Sequence, residues 1–221
     1  MSKKAVVAAV LAVAGVTASC AVVASDAVSA AIPGPLCIPG SSTLPLTADA
    51  KVSRRHPARH YGAASRWKVN YGPATLRSFV DFDLPTIPTG CALTDATLEV
   101  TGDESGHPHP ANAWPGAYVN IYLASGRWRE SGITWNDMPP GYGCFGDFKD
   151  YASSGDLTIT TVLQNAYRCL DSGRLKHWNG LKLKGWSPTT NGRHPHWRFA
   201  VDSRESGHPP IVHISWGLSG T

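Results

Sequence analysis

Aromatic and polar side chains recur together in the loops of this chain, a combination that is typical of sugar recognition. Aromatic rings pack against the C–H faces of sugars, while amide and guanidinium groups bond to their hydroxyls. Such residues concentrate in Gly102–Gly116 and Trp186–Trp197, with a further polar loop at Pro139–Gly155. We therefore predict a carbohydrate-binding surface that is formed by Trp114, Trp186, Trp197, Tyr142, Asn112 and Arg193.

Two His-Pro-His strings in the same loops offer nitrogen ligands to a metal ion. They are His107-Pro108-His109 and His194-Pro195-His196, and on an extended chain residues i and i+2 point the same way. Neither string has an acidic or cysteine partner at a fixed spacing, whereas a structural zinc site needs four ligands. We therefore interpret them as solvated loop histidines and predict no metal ligands among them.

Residues that could perform catalysis are sparse. Asp81 and Asp83 are two positions apart, and a glycosidase needs a pair of carboxylates. Arg77 and Lys51 are available to pair with these acids instead. The chain contains no G-x-S-x-G or H-E-x-x-H motif. We predict that the protein is not an enzyme, with an unrecognised glycan hydrolase or lyase as an alternative.

The N-terminus predicts export. Lys3-Lys4 is followed by an uncharged apolar stretch, Ala5–Ala24, and by small residues that favour cleavage after Ala30. Residues 1–30 are therefore predicted to be a signal peptide, which would make the protein secreted or extracellular without a membrane span in the mature chain. An alternative is a lipoprotein anchored through Cys20, because the residues before it loosely resemble a lipoprotein cleavage site.

The cysteines agree with export. Four remain after residue 30, and an even number in an exported chain predicts two disulfides, for which three connectivities are possible. We favour the pairings that join neighbours in the sequence, since these would tie the lead-in and the long loop to the framework. The predicted bonds are Cys37–Cys91 and Cys144–Cys169.

Length and charge exclude some partners. After a Pro/Gly/Ser-rich lead-in over residues 31–43, residues 44–217 suffice for one domain with a sizeable core. The formal net charge of the full chain is +4, and the basic residues are scattered. This balance does not favour nucleic acid binding.

Short β-rich runs that are bounded by Gly, Pro, Asn and Asp predict an all-β fold, a two-sheet antiparallel β-sandwich resembling a jelly roll. In the run Arg77–Leu84, alternation places Val80, Phe82 and Leu84 on a core face and Phe79, Asp81 and Asp83 on the other, outward face. The predicted strands are Leu46–Val52, Arg66–Val69, Thr75–Leu84, Ala92–Thr101, Ala117–Leu123, Leu157–Thr160, Leu181–Trp186, Trp197–Val201 and Ile211–Trp216.

One short helix is predicted at Thr161–Asp171. Its apolar residues recur with helical spacing, and Thr161 with Gln164 fits a capping box. Gly173 is a plausible terminator. We expect this helix to pack on one edge or end of the sandwich.

Four stretches, taken in order, resemble the bacterial DNRLRE domain, a secreted β-sandwich that is also grouped with carbohydrate-binding modules. They are ADAKVSRRHPARHYGAASRWKV, RSFVDFDLPTIPTGCALTDATLEV, RWRESGITWNDMPP and RFAVDSRESGHPPIVHISW, and they span about Leu46–Trp216. The string that names the family is absent, His60 replaces an Asn, and four cysteines are added.

The resemblance implies roles for several residues. Trp128, Glu130, Thr134, Trp135 and Asn136 would belong to the framework, and a structural Ca²⁺ could be held through Asp49. It favours a non-catalytic module that binds polysaccharide or cell-wall glycan. The alternative is a structural or adhesive surface protein without a defined small ligand.

Overall fold

The computed structural model describes residues 36–71, 75–101, 118–143, 148–150, 156–186 and 197–218. All of them lie in one compact unit, 34–221. The described elements are β1 Gly40–Pro45, β2 Ala48–Ser53, β3 Arg66–Tyr71, β4 Leu76–Asp81, β5 Ala92–Glu99, β6 Tyr118–Ala124, β7 Gly141–Tyr142, β8 Phe148–Asp150, β9 Leu157–Thr158, α1 Thr160–Asp171, β10 Leu181–Trp186, β11 Trp197–Asp202 and β12 Ile211–Gly217.

The strands form antiparallel sheets. A four-stranded sheet has the order β1-β12-β5-β9, and a larger sheet has the order β2-β4-β10-β6-β7, with β8 also paired to β6. β3 and β11 form a separate two-stranded sheet, which was not predicted. The prediction of an all-β antiparallel sandwich with a single short helix is confirmed for the part of the chain that the structure describes.

The main hydrophobic core joins the two larger sheets. It takes apolar residues from alternate positions of each strand, as the two-residue period of a strand requires. Leu98 and Val212 come from the four-stranded sheet, while Val80, Leu123 and Leu181 come from the larger one, and none of these side chains is exposed to solvent.

A second hydrophobic cluster lies on the opposite face of the larger sheet. It contains Phe79 from β4 together with Ala50, Val52, Ala124 and Ile133. Residues 127–140, which we call the covering segment, pack on this cluster through Trp128, Trp135 and Met138.

The prediction that the Phe79 face of β4 looks outward is therefore wrong for Phe79, which is fully buried. Asp81 on the same face is half-buried, and Asp83 is exposed as expected. The reason is that the covering segment is distant in sequence from β4, so the alternation in β4 gives no sign of it.

The helix is attached to the four-stranded sheet by side chains from its first turns. The Thr160 hydroxyl accepts the Ala96 N–H at 2.8 Å, and the Gln164 amide donates to the Leu93 carbonyl at 3.1 Å. The predicted capping box is wrong, because no side chain caps the helix start. Gln164, the second residue of the predicted box, bonds to β5 instead.

The disulfide Cys37–Cys91 is confirmed, with the two Cα atoms 4.7 Å apart. It joins the chain before β1 to the turn before β5. Cys169 is also disulfide-bonded, and Cys144 lies outside the described residues. The pairing of Cys144 with Cys169 stays a prediction.

Residues 40–43, which were predicted to end the lead-in, belong to β1. This strand pairs with β12, and Gly40 lies opposite Trp216. A Cβ atom at Gly40 would approach the Trp216 ring to 2.8 Å, so a side chain there would displace the ring. The predicted signal peptide over residues 1–30 lies outside the described residues. No described helix is long and apolar enough to span a membrane.

Candidate functional site

A groove on the outer face of the larger sheet brings three cations together. Strands β4, β6 and β10 form its floor, and the covering segment forms one wall. The groove encloses about 490 Å³. We call it the basic groove, and its polar and aromatic lining residues are Arg77, Tyr122, Trp135, Asn136, Lys182 and Lys184.

Strand register places these cations side by side. Lys184 lies opposite Arg77 of β4, and Lys182 lies opposite Tyr122 of β6. Between them, Leu183 points to the main core and is fully buried. The leucines of β10 therefore anchor the strand while its alternating lysines face the groove.

Arg77 packs its guanidinium against an aromatic ring of the groove. Its Cζ lies 4.5 Å from the centroid of the Trp135 ring, a cation–π arrangement that fixes both side chains. The buried Nε of Arg77 has no hydrogen-bond partner among the described residues. Its Nη1 contacts the Met138 sulfur at 3.6 Å. Because Arg77 lines the groove, its remaining N–H groups can donate to a carboxylate or hydroxyl that enters there.

Lys182 is the most buried cation of the groove, with 5% of its surface exposed. Its Nζ donates to the Pro139 carbonyl at 2.8 Å and lies 5.5 Å from the Phe79 ring centroid. Burial, followed by the charges of Arg77 and Lys184, lowers the pKa of Lys182 to about 8. The side chain is therefore a cation at neutral pH and loses its charge at mildly alkaline pH.

An amide and a phenol continue the polar face along β6. Asn120 donates through Nδ2 to the Tyr122 hydroxyl at 3.3 Å, and its buried Oδ1 has no partner among the described residues. The Tyr122 ring lies over Gly141, where a Cβ atom would approach it to 2.9 Å. This close contact holds the ring at the groove wall.

A separate acidic cluster lies at the start of the covering segment. Ligand atoms of Asp49, Glu130 and Glu205 lie within 4.8 Å of one another. The Arg204 guanidinium contacts Glu130 at 2.6 Å and Glu205 at 3.2 Å, and its backbone N–H donates to Asp49 at 2.6 Å. Arg204 therefore already supplies positive charge to these acids.

Burial raises the pKa of Asp49 to about 7, and the nearby Glu205 and Glu130 charges act in the same direction. Burial likewise raises the pKa of Glu130. Carboxylate oxygens are the ligands that Ca²⁺ prefers, so the donor type fits the ion that was expected at Asp49. Binding of Ca²⁺ there stays a prediction.

A larger cavity than the basic groove lies elsewhere, between residues 84–93 and helix α1, and encloses about 830 Å³. Two of its polar side chains bond across the cleft to backbone carbonyls. The Tyr167 hydroxyl donates to the Pro85 carbonyl at 2.6 Å, and Gln164 bonds to Leu93. These bonds attach residues 84–93 to the helix.

The two carboxylates that were considered for catalysis differ in their surroundings. Asp83 is exposed, whereas Asp81 is half-buried and burial raises its pKa. Neither predicted basic partner pairs with them: Lys51 donates to the Arg66 carbonyl at 3.1 Å, and Arg77 packs on Trp135.

The structure describes three of the six predicted sugar-binding residues. Trp114, Asn112 and Arg193 lie outside the described residues, as do both His-Pro-His strings. Trp186 ends β10 opposite Tyr118, and Trp197 begins β11 opposite Tyr71. β3 ends and β4 begins at one end of the domain, and the end of β10 pairs with the start of β4. Trp186 and Trp197 therefore lie at the same end of the domain.

Tyr142 lies apart from these tryptophans. It pairs with Leu123 at the far end of β6 from Tyr118, a separation of about 17 Å at 3.3 Å per strand residue. Tyr142 is half-buried and packs against the main core. The fold therefore does not bring it together with Trp186, and the sugar-binding role of all six residues stays a prediction.

The sequence reasoning missed Lys182, Lys184, Asn120 and Tyr122. A signal was present, since lysines alternate with leucines in LKLKGW and polar residues alternate with apolar ones in YVNIYL. Polar positions between core positions mark the second face of a strand. What the pattern lacked was any sign that the two strands are neighbours.

A comparison with known protein families gives a match over much of the chain. Residues 40–168, more than half of the chain, match carbohydrate-binding module family 96. The chain belongs to this family. No curated protein matches the sequence.

Membership of carbohydrate-binding module family 96 supports the coarse prediction of a carbohydrate-binding module, while the DNRLRE name stays a prediction. The matched residues include Arg77, Tyr122 and Trp135 of the groove and end before Lys182 and Lys184. The two lysines therefore come from a part of the chain that the family match does not reach.

Proposed function

We propose that the protein is an exported, non-catalytic module that binds a polysaccharide or cell-wall glycan in the basic groove, with preference for glycans that carry carboxylate groups. The observation that carries this proposal is the lining of the groove. It combines three cations with two aromatic rings, and none of the described residues that line it is acidic. Export is supported by the disulfide, which requires an oxidising compartment.

The groove matches the two kinds of surface on an acidic sugar. Arg77 and Lys184 would donate to carboxylate oxygens, and such charge-assisted bonds contribute roughly 1.5–3 kcal/mol each when they are shielded from water. The rings of Tyr122 and Trp135 would contact sugar C–H groups, and Asn136 is exposed and can bond to hydroxyls. Lys182, which is held by the Pro139 carbonyl, adds positive charge from beneath.

A matched pair of polysaccharides tests the proposal. Polygalacturonate and its fully methyl-esterified form share a backbone and differ in whether their carboxylates are charged. Isothermal titration should give tighter binding of the charged form by about tenfold or more, equivalent to about 1.4 kcal/mol. The difference should shrink as salt is added, because exposed charges are screened within about 3 Å at 1 M ionic strength.

One variant and one control locate the site. Lys184→Met should weaken binding of the charged polymer, since Lys184 lines the groove, whereas Lys176→Met should not, since Lys176 is exposed away from it. Equal affinity for the two polymers, or equal behaviour of the two variants, would contradict the proposal.

A further inference from the structure

A second pocket lies on the other side of the covering segment from the basic groove. It encloses about 630 Å³ and is formed by the covering segment, the end of β4 and the turn before β10. We call it the mixed-charge pocket, and its polar and aromatic lining residues include Asp81, Arg127, Trp128, Arg129, Asp137 and Trp178.

Two tryptophans in this pocket are fixed by the fold. The Trp128 indole N–H donates to the Asn179 carbonyl at 2.9 Å, and the Trp178 indole N–H donates to the Phe82 carbonyl at 2.8 Å. Each ring also leans on a buried phenylalanine, with Trp178 5.1 Å from Phe82 between ring centroids. Both tryptophans are half-buried and line the pocket, so the pocket has rigid aromatic walls before any ligand arrives.

The pocket also offers hydrogen-bond acceptors. Asp81 accepts the Phe82 N–H at 3.0 Å, and Asp137 accepts the Thr134 hydroxyl at 2.7 Å. A carboxylate can accept about four hydrogen bonds. Each of these acids is therefore held in place and retains acceptor capacity for a ligand.

The donors of the pocket are two exposed arginines. Arg127 and Arg129 line it, and neither forms an ion pair with any residue in the described ranges. Two arginines and two aspartates give the lining no formal net charge, in contrast with the three cations of the basic groove.

We propose that the mixed-charge pocket is a second sugar-binding site, which takes a neutral hexose unit. A sugar hydroxyl both donates and accepts, so it can donate to Asp81 or Asp137 and accept from Arg127 or Arg129. The C–H face of the ring packs against Trp128 and Trp178. A neutral ligand suits this lining because it leaves no unpaired charge in the pocket. This site is distinct in position and chemistry from the one proposed above.

Side-chain NMR of the whole protein tests this second site. The protein is titrated separately with methyl β-glucoside, methyl β-galactoside and methyl α-mannoside, and the ring signals of its tryptophans are followed. At least one hexoside should shift the Trp128 and Trp178 signals at millimolar concentration and leave Trp135 unchanged. Shifts confined to Trp135, or no shift with any of the three sugars, would overturn the proposal.

Variants separate the two sites. Changing Arg127 and Arg129 together to Ala removes exposed side chains that make no ion pair with the described residues, so the melting temperature should hold. Hexoside affinity should fall by at least about fivefold, as for the loss of one or two hydrogen bonds, while polygalacturonate binding persists. Lys184→Met should weaken polygalacturonate binding and leave hexoside affinity unchanged. If Lys184→Met weakens hexoside binding as much as the arginine variant does, the second site is excluded, whatever the outcome for the basic groove.

Discussion

The two sides of the covering segment differ in charge although they share one stretch of chain. On one side Trp135 packs beneath Arg77 in a groove with three cations. On the other side Trp128 is held by a backbone carbonyl in a pocket where arginines and aspartates balance. One segment thus acts as a tether and as a wall for two surfaces, because the strands it covers present different residues to each side.

The largest effect should come from Trp128→Ala, because Trp128 supports both surfaces. Its ring lies 5.6 Å from Phe79 between centroids, and its N–H bond to Asn179 would be lost. We expect the free energy of unfolding to fall by about 3–5 kcal/mol, measured by chemical denaturation. Trp135→Ala is the control and should cost less, because the Trp135 indole N–H makes no hydrogen bond to a described backbone carbonyl, unlike that of Trp128. A larger loss of unfolding free energy for Trp135→Ala would show that the covering segment is anchored at Trp135 and not at Trp128.

Removing Arg77 should weaken binding in the basic groove and leave binding in the mixed-charge pocket unchanged. Arg77→Met keeps an unbranched side chain over Trp135 and removes a buried N–H that has no partner among the described residues. Binding of polygalacturonate should weaken about tenfold, or about 1.4 kcal/mol, with unchanged stability. Arg77→Lys should recover part of the affinity, since it restores the charge without the planar guanidinium.

Titration of Arg77→Met with methyl hexosides tests whether the two surfaces bind independently. Methyl hexosides should shift the Trp128 and Trp178 signals as they do in the parent protein. A coupled loss of both kinds of binding would mean that the groove and the pocket act as one site.

The basic groove alone should respond to mildly alkaline pH. The pKa of Lys182 is lowered to about 8, so its charge is present at pH 7 and lost as the pH rises through 8. Affinity for polygalacturonate should therefore fall several-fold between pH 7 and pH 9, while hexoside binding should not change. Lys182→Arg should remove the dependence, because arginine stays protonated. If the affinity of Lys182→Arg for polygalacturonate still falls with rising pH, a group other than Lys182 is titrating.

The smallest effect on the difference between the two surfaces should come from the acidic cluster. This cluster adjoins the start of the covering segment and should affect both surfaces equally. Asp49 has a pKa of about 7 in the folded protein, against 3.8 as its ordinary value. Its contribution to stability is thus fully present below pH 3.8 and is lost as the pH rises through 7. Asp49→Asn should remove that part of the pH dependence from the melting temperature.

The control for this substitution is Asp171→Asn, at an exposed position at the end of α1. It should leave the dependence of melting temperature on pH as in the parent. A parent protein whose stability, relative to Asp49→Asn, rises between pH 5 and pH 8 would contradict the expected sign.

Several features follow from local sequence alone. Alternation in the run Arg77–Leu84 predicted the core positions Val80 and Phe82, because a strand has a two-residue period wherever it lies. The helical spacing predicted α1 to within one residue of its start. Cys37–Cys91 was favoured because the bond joins cysteines that are neighbours in sequence.

Tertiary structure decided the rest. Phe79 is buried although its alternation placed it outward, because the covering segment arrives from about fifty residues downstream. The basic groove exists because β10 lies between β4 and β6, which brings Lys184 beside Arg77 from more than a hundred residues away. A period in the sequence determines which side chains share a face, whereas only strand order and register determine which faces meet and what chemistry they form together.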